Sequence, residues 1–137
     1  MRRREFIATG CIACLGAGSL SALLSSCAEG DLISGKMVEG NITVPLPGPG
    51  TVHIVRADGF PDEIALVRGH DGEFHALLLR CTHADNPLRR DGEGFSCSLH
   101  GSRFNLEGRV THGPATRPLR AMKVSIIGDS VTLSPDS

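Results

Sequence analysis

CTHADNPLRRDGEGFSCSLHGSRF, residues 81–104, holds two cysteines and two histidines, as Cys81-x-His83 and then Cys97-x-x-His100. Thirteen residues separate His83 from Cys97. Zinc also uses two Cys and two His, but usually with like ligands grouped together. Here each half of the stretch supplies one thiol and one imidazole. That mixture suits a binuclear centre with two unlike positions, one metal taking both cysteines and the other both histidines. Two plainer readings stay open at this point. One is a mononuclear zinc site; the other, in an oxidising compartment, is a Cys81–Cys97 disulfide.

Outward from this stretch the pattern is all-β, in short runs broken by Gly, Pro and Asp. Asn41 to Val44 precedes a PLPGPG breaker at 45–50. Thr51 to Arg56 (TVHIVR) and Glu63 to Arg68 (EIALVR) are rich in β-branched and aliphatic residues. The turn signal Gly69-His70-Asp71-Gly72 then joins Glu63–Arg68 to Glu73–Arg80 as a hairpin. A second turn, Asp91-Gly92-Glu93-Gly94, falls between the two Cys/His groups. Leu106 to Val110 reads as strand, turn, strand. Leu119 to Ile127 and Val131 to Leu133 form a last hairpin around Gly128-Asp129-Ser130. No long segment of 3.6-residue period and no repeat is present. The two Cys/His groups therefore fall on loops that follow strands.

The other end of the chain reads differently. Arg2, Arg3 and Arg4 followed by Glu5, Phe6 and Ile7 resemble the twin-arginine export signal. The apolar run from Ile7 to Leu24 is rich in Gly, Ala and Ser, and too short and weakly hydrophobic to predict a membrane span. It ends in Leu24-Ser25-Ser26-Cys27, which resembles the lipobox of bacterial lipoproteins. The expectation is a signal over 1–26, cleavage and lipidation at Cys27, and a flexible tether over 27–37. The alternative is an uncleaved membrane anchor. Cys11 and Cys14, although spaced as CxxC, lie inside the apolar run and leave with it. The ten residues AEGDLISGKM (28–37), treated as a Gly-rich coil, would reach roughly 16–19 Å.

Length and composition bound the rest. The chain has 137 residues, room for one domain, with 17 Gly, 8 Pro, five Phe and no Trp or Tyr. A formal net charge of -1 gives no support for nucleic-acid binding. No nucleophile or acid–base pair stands out, so catalysis on a substrate would belong to a partner. His53, His70, His75 and His112 have no matched cysteine and read as ordinary strand, turn or loop residues.

The pattern Cys-x-His, spacer, Cys-x-x-His, with Gly101, Ser102 and Phe104 after it, resembles the Rieske family. GRVTHGPATRPL (108–119) is similar to the proline loop with which that family covers its cluster. The resemblance implies a Rieske-type antiparallel β-sandwich over 38–134, with a small cluster-binding subdomain of two loops within 80–119. It implies one [2Fe–2S] cluster, Cys81 and Cys97 on the inner iron, and His83 and His100 on the outer iron. Ser102 would donate a hydrogen bond to a sulfur. The high-potential branch of the family has a second cysteine in each loop, paired as a disulfide, and a Tyr two residues after the Ser. Here those positions are Asn86, Leu99 and Phe104.

The expected function is one-electron transfer, as an exported membrane-tethered carrier or a small oxidoreductase subunit. The expected partner is a cytochrome c or an oxidoreductase subunit. The twin-arginine route suits a protein that takes up its cofactor before export. An iron–sulfur subunit of a quinol-oxidising cytochrome bc-type complex and a non-redox zinc-binding β-domain are the alternatives.

Overall fold

The computed structural model describes residues 31–135, and every regular element among them is a β-strand. Seven strands form a closed barrel: β1 (Asp31–Val38), β2 (Asn41–Pro45), β3 (Val52–Asp58), β4 (Ile64–Arg68), β5 (Phe74–Leu78), β10 (Ala121–Ile127) and β11 (Ser130–Pro135). Between β5 and β10 the chain forms a separate four-stranded sheet: β6 (Arg89–Asp91), β7 (Gly94–Ser96), β8 (Arg103–Asn105) and β9 (Val110–His112). The all-β expectation holds, and the sandwich is closed rather than open-edged. Closure removes the unpaired edges that would otherwise template association.

Closure is the work of β1, and here the sequence reading is corrected. The stretch expected to be a tether up to Met37 is a strand from Asp31. It pairs antiparallel with β2, Met37 opposite Ile42, and parallel with β3, Ile33 opposite Val55. The physical reason lies in Gly35. It is buried, and a Cβ there would come within 2.8 Å of Ile42 Cγ2. The small residue that reads as linker composition lets β1 lie close over the barrel interior, with Ile33 packed against the same core. Residues 1–30, with Cys27 and the signal, lie outside the described residues.

Two cores follow from the alternation of side chains across β3, β4 and β5. Val55, Ile64, Leu66, Ala76, Ile42, Val44, Val131 and Leu133 fill the barrel, each at most 1% exposed. On the opposite face Val52, Ala65, Val67, Leu77 and Leu79 pack against Leu88, Phe95, Phe104, Ala115 and Leu119 of the second sheet and its loops. β4 is buried on both faces, which is why Ile64-Ala65-Leu66-Val67 is a continuous apolar run rather than an alternating one. At about 25 cal/mol per Å² of apolar surface, this second core fixes the site-bearing sheet to the barrel. Gly108 marks a close approach of the second sheet's loop to the barrel. Its φ is +79°, and a Cβ would meet Leu77 Cδ2 at 2.9 Å. Its N–H bonds the Asn105 carbonyl and its carbonyl accepts from Leu119.

Candidate metal centre

The two Cys/His groups fold as the same local device. Cys81 N–H donates to the Asn86 carbonyl at 2.8 Å, and Asp85 N–H returns to the Cys81 carbonyl at 2.9 Å. Cys97 N–H donates to the Ser102 carbonyl at 2.8 Å, and Gly101 N–H returns to the Cys97 carbonyl at 3.0 Å. In both loops the residue four after the cysteine must turn left-handed. Gly101 does so at φ +81°, and Asp85 at +57°. Gly is the default there, and Asp is among the few other residues that tolerate it.

These knuckles sort the four side chains by depth. Cys81 and Cys97 are buried, each 2% exposed, while His83 and His100 are exposed. The imidazole rings stand edge to face with centroids 5.1 Å apart. Both cysteines are free thiols, so the disulfide reading is not what the fold makes of them. Burial pushes the Cys81 thiol up, but the backbone N–H groups of His83 and Ala84 and the side chains of Cys97 and Ser102 outweigh it. The net result is a Cys81 thiol below its ordinary value, and the thiolate is the form that binds metal.

Ser102 and the proline loop complete the surroundings. Ser102 is fully buried; its hydroxyl is one of the groups that lower the Cys81 thiol, and it accepts from Ala115 N–H at 3.0 Å. Thr82 Oγ1 donates to the Arg117 carbonyl at 2.7 Å, and Arg117 Nη2 donates back to the Thr82 carbonyl at 3.2 Å. The loop around the cis Gly113–Pro114 bond is therefore tied to both cysteine loops. Thr82, Ala115 and Arg117 are structural partners that sequence reasoning missed. Their signal was only their position inside the Cys-x-His and proline-loop motifs. The other histidines sit elsewhere: His53 on β3, His75 on β5 with Nε2 2.8 Å from the Leu106 carbonyl, His112 on β9, and His70 in the β4–β5 turn.

The donor set fits a two-metal centre. Two thiols meet in the interior and two imidazoles meet at the surface, with an inward hydrogen-bond donor beside the sulfurs. The class defined so far is a β-protein that presents a paired thiol–imidazole centre on two knuckle loops.

Comparison with known proteins names that class. The family model of the Rieske [2Fe-2S] domain matches residues 43–123. The chain is 40% identical over 90 residues to cytochrome b6-f complex iron-sulfur subunit 3 of Nostoc, covering 66% of this chain and 46% of that protein. It is 31% identical over 126 residues to the ubiquinol-cytochrome c reductase iron-sulfur subunit of Rickettsia typhi, covering 85% and 71%. A solved chain from the complex of reduced oxygenase and oxidised ferredoxin in carbazole 1,9a-dioxygenase superposes with a TM-score of 0.51. It shares 27% identity, with 71% of this chain and 94% of that one covered. The protein belongs to the Rieske [2Fe-2S] family, whose members carry a [2Fe–2S] cluster. Electron transfer through that cluster is the chemistry these likenesses support; zinc is not favoured. The chain spans 46% of the length of the first relatives it matches.

Proposed function

We propose that this chain is an exported, membrane-tethered one-electron carrier, or the small electron-transfer subunit of an oxidoreductase. In this reading Cys81 and Cys97 bind the inner iron as thiolates, and His83 and His100 bind the outer iron through one ring nitrogen each. The observation that carries it is the sorting by depth: sulfurs together in the interior, imidazole rings together at the surface. When bound, the cluster takes up and returns one electron at a time. The chain's own residues set the conditions for this. The buried cysteines keep water from the sulfurs, Ser102 is placed to donate to Cys81, and the proline loop covers the loops between them. His83 and His100 leave an exposed edge where a redox partner can approach without entering the fold.

The tether is shorter than composition suggests. With β1 beginning at Asp31, residues 28–30 alone separate Cys27 from the barrel. At about 3.3–3.6 Å per residue, a lipidated Cys27 holds the barrel within roughly 15 Å of the anchor. β1 runs parallel to β3, and β5 runs the same way, being antiparallel to β4, which is antiparallel to β3. Asp31 is thus at the opposite end of the barrel from the point where β5 hands over to the first cysteine loop. That orientation supports a centre facing away from the membrane toward a soluble partner such as a cytochrome c.

The names of the relatives favour a second reading, in which the chain is the iron–sulfur subunit of a quinol-oxidising complex. Three measurements test the proposal. The purified domain should hold about two iron atoms and as much acid-labile sulfide; stoichiometric zinc without a visible chromophore would sink the cluster assignment. Labelled palmitate should enter the wild type and not Cys27→Ala. Arg3→Lys with Arg4→Lys should hold the precursor inside the cell; continued export through the general route would overturn the twin-arginine reading. Co-purification with a membrane-embedded cytochrome b partner would select the second reading.

A further inference from the structure

Behind the first cysteine loop lies a cavity of about 540 Å³, with residues 80–85 on one side and 117–120 on the other. No residue of the second loop, 97–102, lines it, so it is separate from the space between the two cysteines. Three arginines, Arg80, Arg117 and Arg120, line it against one acidic residue, Asp85. Arg80 is held in place: its Nε donates to Asp62 Oδ1 at 2.8 Å, its Nη1 reaches the Asp85 carbonyl, and Asp85 Oδ2 lies 3.7 Å away. With Asp62 counted, the surroundings still carry one net positive charge. Arg117 uses one donor on the Thr82 carbonyl, and a guanidinium has five. Arg120 is exposed at the edge of the cavity and also borders a neighbouring apolar hollow beside Phe60 and Met122. Planar guanidinium forks match carboxylate and phosphate oxygens two at a time.

We propose that this cavity binds a small multivalent oxyanion, and that its occupancy is linked to the oxidation state of the centre. The inference rests on the cluster assignment above and goes beyond it. Cys81 and His83 form part of the cavity wall, so a bound anion sits against the residues that hold the inner and outer metal positions. Reduction adds one negative charge to the centre. An anion beside it is then repelled, so the oxidised protein binds the anion more tightly. Linkage requires the converse, that the anion makes the protein harder to reduce. Arg117 supplies a second connection, since it bonds the Thr82 carbonyl within the same cysteine loop.

The test uses the holoprotein at constant ionic strength, with inorganic phosphate and malonate as separate probes and chloride as the control. Calorimetry reads binding to the oxidised and reduced forms, and voltammetry reads the potential over the same range. The expected result is saturable binding, about fivefold tighter to the oxidised form, at the low end of ordinary coupling. For one electron that ratio is a fall of roughly 40 mV at saturation. A preference for phosphate over malonate, or the reverse, identifies which oxyanion chemistry the site takes. Arg120→Gln should weaken binding at least several-fold and shrink the shift, while the iron content stays that of the wild type. Equal effects of chloride, or an unchanged response in Arg120→Gln, would overturn the proposal. A protein isolated without iron would instead overturn the cluster assignment, which the metal analysis reports separately.

Discussion

Ser102→Ala separates two roles that one buried hydroxyl plays. The Ser102 hydroxyl, which helps lower the Cys81 thiol, is placed to donate to the Cys81 sulfur and accepts Ala115 N–H at 3.0 Å. A hydrogen bond to a charged acceptor contributes about 1.5–3 kcal/mol. Reduction makes the sulfurs more negative and strengthens that bond, so its loss disfavours the reduced state. If about half of the bond energy depends on the oxidation state, the loss is roughly 0.7–1.5 kcal/mol, which is about 30–65 mV downward for one electron. The Ala115 N–H is a different matter. Left unpaired beside a fully buried position, it costs about 1–3 kcal/mol of stability, equally in both oxidation states. The variant should therefore unfold earlier in denaturant and also show a lower potential by voltammetry. Lower stability with a potential unchanged within about 10 mV would refute the reasoning, because the hydroxyl would then serve the proline loop alone.

Phe104→Tyr should raise the potential, since it restores the hydroxyl donor that the resembled high-potential branch has at this place and Phe104 lacks; an unchanged or lower value in a redox titration would contradict this. Thr82→Val removes the donor to the Arg117 carbonyl. It should cost about 0.5–1.5 kcal/mol and speed iron loss to a chelator, as followed by bleaching of the visible absorption. Gly108→Ala forces a Cβ into a left-handed residue and against Leu77. The cost should be roughly 2–4 kcal/mol, and an unshifted urea midpoint would count against the packing described. Leu66→Ala, at a fully buried barrel position, should cost about 2–5 kcal/mol by the same assay.

Much of this was legible in the sequence, and the places where it was not have physical causes. The turn Gly69–Gly72 and the β-branched runs around it announced β4 and β5, because local turn chemistry and side-chain alternation are short-range signals. The position of the site was legible for the same reason, since each cysteine knuckle closes within six residues. β1 was not legible. Its reason to be a strand is a parallel pairing with β3 some twenty residues on, and Gly35 carries the same letter in a linker as in a close strand crossing. The double burial of β4 could be suspected from its continuous apolar run, but what covers its second face comes from a sheet assembled later in the chain. Thr82 and Arg117, 35 residues apart, meet only because the proline loop folds back.

The departures from the high-potential branch gain a structural explanation. Where that branch resembled here places paired cysteines, this chain has Asn86 and Leu99. Leu99 is 61% exposed, so its position offers the interior nothing to bond. The Asn86 carbonyl instead closes its own knuckle by accepting from Cys81, and its side chain Nδ2 donates to the Ala84 carbonyl at 3.3 Å. The two cysteine loops are thus not joined to each other at these positions. They are joined through a third segment: Ala115 on Ser102 behind the second cysteine, and Arg117 on Thr82 behind the first. Three hydrogen bonds of about 0.5–1.5 kcal/mol each can approach the 2–4 kcal/mol of a typical disulfide. Unlike a disulfide, they can open one at a time. The proline loop is therefore both the cover of the centre and the clasp that keeps its two halves in register, and loosening it should expose the sulfurs before it unfolds the barrel.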